Sequence, residues 1–403
     1  MNLILFDQPD IREQLLPLTF TRPIAALRVG ILTIAEKWKK YFPDSHVSFL
    51  TEPYLRKKFP MQRGNSNLLV NGALCPNPEV LEAIKALGEG ESLIKDNILI
   101  ACRCSKTGIE EFEQAPEAFR KNSTAFRGAF FTLIDQVWLI FSQNGAEIKA
   151  DFDLLTRNRK TAGINDAHTR TYNEDQIFVE EGAKIKAAIL NAEDGPIYIG
   201  KNARVHEGAF IKGPFALCEG SHVNPGAKMR GDSTIGPHSK VGGEISNSVI
   251  TGYSNKGHEG FLGNSVLGEW CNIGADSNNS NLKNNYADVK LWNYKKGGFI
   301  NTGLQFCGLI MGDHSKCGIN TMFNTGTVAG VSANIFGAGF PRQFIPSYSW
   351  GGAAGLTTYK LDKVYETAER VMERRHINLD DTEKEILQHV FEQTARYRVW
   401  EKS

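Results

Sequence analysis

The chain has 403 residues, 46 Lys+Arg against 45 Asp+Glu, and a formal net charge of +1. That length exceeds one ordinary hydrophobic core, and 41% apolar residues are enough to build two. The balanced charge gives no bulk pull toward nucleic acid or a membrane surface, and no apolar run approaches the ~20 residues of a span. The opening run Met1–Phe6 stops at Asp7 with no basic segment before it, so no signal peptide is expected. Seven scattered cysteines (75, 102, 104, 218, 271, 307, 317) contain no paired C-x2-C, and read as reduced thiols of a cytoplasmic protein.

From the amino terminus, Asn2–Phe6 predicts a strand and Thr33–Tyr41 a helix with Ile34, Trp38 and Tyr41 on one face. Short strands are expected at Val47–Leu50, Leu68–Val70 and Asn97–Ala101, and helices at Glu79–Leu87 and Val137–Asn144. This alternation argues for an α/β sheet of mostly parallel strands. Ligands on such sheets sit at the carboxyl ends of strands, here the loops after Phe6 and Val70.

Past Asp175 the pattern changes. Every sixth residue is aliphatic: Ile199, Val205, Ile211, Leu217, Val223, Met229, Ile235, Val241. Four residues after each, the occupant is usually small: Ala203, Ala209, Ser221, Ala227, Ser233 and Ser239, with Phe215 the exception. A period of six fits no α-helix. It is the signature of a hexapeptide-repeat parallel β-helix with coils of about 18 residues, aliphatics inward and small residues at tight corners. The repeat slips at 246–262, resumes at Leu267-Gly268 and Ile273-Gly274, breaks at an Asn-rich stretch (278–285), and returns at Met311-Gly312, Cys317-Gly318 and Phe323-Asn324. From Leu361 the chain turns helical, with a second helix capped by Asp380 or Asp381; both are expected to cover the end of the solenoid.

The interrupted coils carry the chemistry. The run Gly242-Gly243-Glu244 through Lys256-Gly257-His258-Glu259-Gly260-Phe261-Leu262-Gly263, then Cys271-Asn272-Ile273-Gly274-Ala275, Asn281 and Val289-Lys290, resembles one known family. It is similar to the acetyltransferase domain of the bifunctional glucosamine-1-phosphate acetyltransferase / N-acetylglucosamine-1-phosphate uridyltransferase family. The opening Leu16-Pro17-Leu18-Thr19 and Arg22-Pro23-Ile24 through Gly30 resembles that family's start, in a divergent bacterial branch. The resemblance implies a Rossmann-like nucleotidyltransferase domain, a left-handed parallel β-helix, and a homotrimer whose active sites draw on neighbouring chains.

By the same resemblance, His258 is the catalytic base and the Ala275 amide the oxyanion donor. An amino sugar is mostly an ammonium ion at neutral pH and must lose a proton before it attacks a thioester; a histidine suits that task. Glu244, Lys256, Asn272, Asn281 and Lys290 fall at substrate-binding positions, and Ala329 and Arg342 at positions expected to meet coenzyme A. The family tyrosine three residues after the histidine is Phe261 here.

His206, His222 and His238 are spaced by sixteen, which invites comparison with a zinc-binding solenoid. A coil of about 18 puts them at different phases, so they are expected not to stack.

The amino-terminal half departs from the family pattern. Its Gly-rich phosphate loop is replaced by Phe6-Asp7-Gln8-Pro9-Asp10-Ile11-Arg12, which lacks glycine. Ala73 stands where a metal aspartate is expected. Mg²⁺ between phosphates usually wants one or two carboxylates, for which Asp151 and Asp153 are candidates. Arg12, Arg22 and Arg28 are candidates for phosphate contacts.

The expected organisation is a nucleotidyltransferase-like α/β domain over 1–175, a hexapeptide-repeat β-helix over 176–355, and a helical appendage over 356–403. The expected activity is acetyl-CoA-dependent N-acetylation of an amino-sugar 1-phosphate, coupled or not to transfer from UTP. Two alternatives stay open: a nucleotidyltransferase with a purely structural solenoid, and a non-catalytic subunit that senses a nucleotide-sugar.

Overall fold

The computed structural model describes residues 2–121, 123–128 and 131–402. Contacts divide it into two compact units: Met1–Leu15, Arg22–Leu27 and Leu32–Gln136 form one, while Leu16–Thr21, Arg28–Ile31 and Val137–Ser403 form the other.

The first unit is a Rossmann-like sheet built from β1 (Asn2–Phe6), β2 (His46–Leu50), β3 (Ser66–Asn71), a short β4 (Leu74–Cys75), β5 (Ser92–Lys95), β6 (Ile98–Ser105) and β7 (Ser123–Ala125). The sheet order is β2-β1-β3-β6-β5-β7. It is mixed rather than mostly parallel. Strand β1 runs parallel to β2 and β3, but β6 runs antiparallel to both β3 and β5. The reason is local: Asp96 and Asn97 adopt positive φ between β5 and β6 and close a hairpin, which needs no crossover helix. Thr33 caps the helix Ile34–Tyr41 in a reciprocal capping box with Glu36, and Trp38 inside it is fully buried, donating to the Leu74 carbonyl at 2.8 Å.

The second unit is a parallel β-solenoid followed by helices. One face has nine strands, from Ile177–Val179 to Phe344–Ile345; another has ten, from Lys184–Ile185 to Gly355–Thr358. The third has six, from Arg170–Tyr172 to Phe261–Gly263. The aliphatic column read from the sequence lines one continuous core, from Ile199 and Val205 through Val241 to Ile335 and Ile345. The glycines that follow several of these aliphatics are required by close approach. A Cβ at Gly236 would strike the backbone of Thr251, and one at Gly274 the backbone of Gly318. The small column is buried too, and its serines bolt coil to coil. Ser254 Oγ accepts from the Cys271 amide at 2.8 Å and donates to carbonyls of Gly252 and Gly268.

The break in the repeat is an insertion. Leu267 pairs directly with Met311, and the intervening chain carries an antiparallel hairpin, Lys290–Asn293 with Gly298–Asn301. The expected helix at Val137–Asn144 is a short turn, Leu139–Ser142, and the main helix runs over Asn144–Thr156. Asn144 begins it because its buried side chain accepts from the Gly30 amide and donates to the Asp232 carbonyl at a solenoid corner.

The carboxy-terminal helices are Leu361–Glu373 and Asp381–Thr394, the second capped by Asp380. Arg375, just past the first, reaches back along the solenoid to Asn255 Oδ1 at 3.3 Å, so the pair covers more than the end.

The histidine expectation needs correction. His206 and His222 do meet, their rings 5.7 Å apart. Register explains it: Arg204 pairs with His222, so His206 is its diagonal neighbour on the same outer face. His238 belongs to a different set, a corner column of positive-φ residues with Tyr253, Trp270 and His314. Tyr253 and Trp270 stack at 4.4 Å. Among the described residues, no group of three or more His, Cys, Asp or Glu is placed to hold a metal ion, and no helix is long and apolar enough to cross a membrane.

Candidate active site

The strand Asn255–Lys256 lies between Lys240–Val241 and Asn272–Ile273 on the ten-stranded face. Side chains alternate across such strands, so Lys240, Asn255 and Asn272 point outward. The next residue inward on this strand is Lys256, paired with Val241, in a position that neighbouring coils fill with aliphatics. It is only 1% exposed. Its ammonium donates to the Gly242 carbonyl at 3.1 Å and the His258 carbonyl at 2.7 Å. Burial lowers its pKa to about 8. Expected to touch substrate, Lys256 instead faces the core and fixes the backbone of the loop that carries His258.

That loop turns through Gly257 and Gly260. Asn224 donates to the Gly257 carbonyl at 2.8 Å. Gly260 has φ +117, and a Cβ there would strike the carbonyl of Ser277. His258 is exposed, and its imidazole makes no hydrogen bond or ion pair among the described residues. It lines a groove of about 710 Å³ together with Asn272 and Ala275. The Ala275 amide donates to no group among the described residues, while its carbonyl accepts from Asn320 at 2.9 Å. His258 and Ala275, whose backbone N–H has no partner among the described residues, thus line one cleft.

The groove holds residues that sequence reasoning passed over. Lys240, Lys316, Arg374 and Arg375 line it beside Tyr253 and Trp270. Lys316 donates to the His314 carbonyl at 2.9 Å, and burial lowers its pKa to about 8. A signal for the lysines was present: each directly precedes an inward residue of the repeat (Val241, Cys317), which places it on the outer face. Nothing in the local sequence tied the two arginines to this groove.

The other expected residues lie elsewhere. Asn281 lines a second groove, of about 750 Å³, with Phe261, Arg230 and Lys212. Its side chain donates to Asn264 Oδ1 at 2.8 Å. Glu244 belongs to the six-stranded face and pairs with Arg230 at 3.0 Å. Lys290 is exposed on the inserted hairpin. Ala329, expected at the coenzyme, points its methyl into the solenoid core, because it sits in the aliphatic column opposite Met311 and Ile345. Only its backbone could meet a ligand. Arg342 is exposed on the loop before Phe344–Ile345.

In the first unit, a pocket of about 220 Å³ opens at the carboxyl ends of β1 and β2, lined by Phe6–Pro9, Leu50–Pro53 and Phe112. Behind it, Arg12 is buried and binds the Asp7 carboxylate at 2.7 Å, the Arg22 carbonyl and the Tyr54 hydroxyl. Burial raises the Asp7 pKa, against the opposing pull of Arg12. Arg22 is buried as well. Arg28 belongs to the second unit, where it donates to the Thr251 carbonyl at 3.2 Å and to that of Ile31. Arg12 and Arg28 are thus committed to internal partners. Ala73 leaves no carboxylate on its strand end, Asp151 accepts from the Ile31 amide at 2.8 Å in the second unit, and Asp153 is exposed. These donors do not fit a magnesium site.

Residues 3–160 match the model of a family described as sugar nucleotidyl transferase. The chain is 31% identical over 160 residues to a bifunctional sugar-1-phosphate nucleotidylyltransferase/acetyltransferase of Sulfurisphaera tokodaii, covering 39% of this chain and 37% of that one. It is 33% identical over 108 residues to the bifunctional protein GlmU of Trichodesmium erythraeum, covering 26% and 22%. It is 27% identical over 156 residues to an uncharacterized acetyltransferase, YaiX, of Escherichia coli O6:K15:H31, covering 38% and 62%. The matched stretch is less than two thirds of each relative's length. At modest identity, the chain therefore combines a stretch that matches the sugar nucleotidyl transferase model with similarity to proteins named for nucleotidylyl and acetyl transfer.

Proposed function

We propose that the solenoid unit transfers an acetyl group from acetyl-CoA to the amine of an amino-sugar 1-phosphate of the glucosamine-1-phosphate class. One observation carries this reading: His258 and Ala275, whose amide has no partner among the described residues, line the same cationic groove. His258 takes a proton as the sugar nitrogen attacks the thioester carbonyl. The Ala275 N–H stabilises the tetrahedral oxyanion. As that collapses, the C–S bond breaks and the thiolate leaves with a proton returned by His258.

The split between two grooves supports a homotrimer. Asn281 and Phe261, with Glu244 on the same six-stranded face, stand apart from His258 in one chain, and side-by-side packing would bring that face against a neighbour's groove. Asn272 then meets substrate from the His258 side, Asn281 and Glu244 from the other, with Lys290 as a phosphate contact. Seven buried cysteines, none of them in a disulfide, fit a reducing cytoplasm. The test is free-thiol release from acetyl-CoA, measured with glucosamine-1-phosphate as acceptor. No acceptor-dependent thiol release would sink the reading.

The family match and the pocket at the ends of β1 and β2 favour a second reading, nucleotidyl transfer by the first unit. Pyrophosphate release from UTP and a sugar 1-phosphate is its measurement.

A further inference from the structure

Three lysines stand near His258, and they differ in what holds their amines. Lys240 is exposed on the outer face of the groove. Lys256 points into the core, 1% exposed, with its ammonium on two carbonyls and no part in the groove's lining. Lys316 is the intermediate case. It pairs with Asn272 across adjacent coils of the ten-stranded face, so its side chain stands outward beside that of Asn272. It is half-buried, donates to the His314 carbonyl at 2.9 Å and lies 3.5 Å from that of Trp270. No aspartate or glutamate lines the groove, and Lys316 forms no ion pair among the described residues. An ammonium there has lost water and gained no anion, so the neutral amine is favoured. With the pKa lowered to about 8 by burial, roughly a quarter of such amines are neutral at about pH 7.5, against about one in a thousand for an ordinary lysine.

A neutral primary amine is the same functional group as the acceptor nitrogen of the proposed reaction, and Lys316 lines the same cleft as His258 and Ala275. The cleft holds one thiol as well, that of Cys271. It donates to the Gly312 carbonyl at 3.3 Å, and burial pushes its pKa up to about 12, so it offers little thiolate. Of the two nucleophiles, the amine is the one in a reactive form.

We infer that Lys316 is a self-acetylation site: with an acetyl thioester in the groove and no acceptor amine beside it, the Lys316 nitrogen takes the acetyl group. This rests on the acyl-transfer reading of the same groove. The nitrogen lone pair attacks the thioester carbonyl and a C–N bond forms. The C–S bond breaks with its electron pair going to sulfur, and the proton shed by nitrogen ends on the departing thiolate. The products are an amide and a free thiol. The amide keeps an N–H for the His314 carbonyl, but the positive charge is gone and an acetyl group stands in the groove. Modification then holds back a protein that has donor but no acceptor.

The experiment incubates the full chain with acetyl-CoA and no acceptor at neutral pH, and reads acetylation by intact mass and peptide mapping. Lys316 should be acetylated about tenfold or more faster than Lys240, Lys256 or Lys290, and faster by the same margin than in the urea-unfolded chain. Added glucosamine-1-phosphate should slow the modification by competing for the donor. Lys316→Arg, its fold checked by circular dichroism, should lose the modification; mapping of wild type gives the answer even where the variant does not fold. Acetylation spread evenly over the exposed lysines overturns the inference. So does an unmodified Lys316, or a rate equal in folded and unfolded chain. Acceptor-dependent thiol release with Lys316 unmodified would keep the proposed reaction and remove this site. Rapid acetylation of Lys316 without acceptor-dependent thiol release would keep the site and remove the proposed reaction. Fully modified protein, freed of donor and assayed afresh, should release thiol about tenfold more slowly than unmodified protein. An unchanged rate would remove the restraint drawn from the modification.

Discussion

His258 owes its place to Lys256, two residues earlier in the chain. A lysine in an aliphatic column is costly, and its ammonium offsets part of that cost by capping two carbonyls, one of them that of His258. Replacing His258 with Ala should lower acetyl transfer by roughly 10²–10⁴-fold in steady-state thiol release, with the solenoid intact by circular dichroism. Lys256→Met should reduce kcat by on the order of tenfold through misplacement of the loop, with a smaller change in KM. Its stability effect has a definite sign. A lysine with its pKa lowered to about 8, against an ordinary 10.5, is protonated in the unfolded chain over a range where the folded protein has shed the proton. The penalty of burying the charge is fully present below about pH 8 and fades as pH rises toward 10.5. Urea unfolding should therefore show wild type gaining stability relative to Lys256→Met across that window. A difference independent of pH would remove Lys256 from this role. Lys290 offers the contrast of an exposed side chain on a hairpin: Lys290→Met should raise KM and spare kcat, and unchanged constants would remove it from the site.

The hexad repeat was legible because it has two redundant causes. An aliphatic residue must fill the interior of each side, and glycine or a small residue must sit where successive coils nearly touch. The serine column adds a third constraint not read from sequence, a hydroxyl that satisfies the neighbouring coil's amide. Ser254→Ala leaves the Cys271 amide without its acceptor and should cost about 1–3 kcal/mol in chemical denaturation; no measurable loss would show that the coils need no such bolt. Less of the site could be read. His258, Asn272 and Ala275 are local to the coil sequence and come together. Arg374 and Arg375 join them only through the packing of a helix about a hundred residues later, for which no periodicity speaks. The direction of Ala329 was legible from the register, since it occupies an aliphatic position of the repeat and turns its methyl to the core. The antiparallel β6 escaped notice because a hairpin and a crossover use similar short strands, and only Asp96 and Asn97 distinguish them.

At the scale of the molecule, the two units differ in how well they keep the chemistry that their similarities suggest. The first retains a pocket where such sheets bind ligands, but commits Asp7 and Arg12 to each other and offers no magnesium carboxylate at Ala73. Purified protein given Mg²⁺, UTP and a sugar 1-phosphate should therefore release little pyrophosphate; turnover as fast as acetyl transfer would overturn that expectation. A stable trimer should appear by light scattering at micromolar concentration, and a monomer with full acetyl transfer would contradict the shared site.

A solenoid touches itself only between adjacent coils, so its cooperativity is that of a one-dimensional chain of nearest neighbours. One weak rung can divide such a chain. The rung holding Lys256 replaces an inward aliphatic with a desolvated amine, and the loop that carries His258 hangs from it. The coils before Val241 and those after Leu262 should then open as separate blocks in hydrogen exchange, with the fastest amides at the boundary between them. A donor molecule lying across Lys240 on one side and Lys316 on the other would bridge that boundary. Occupancy of the groove would then act on the solenoid as a splice, turning two melting blocks into one.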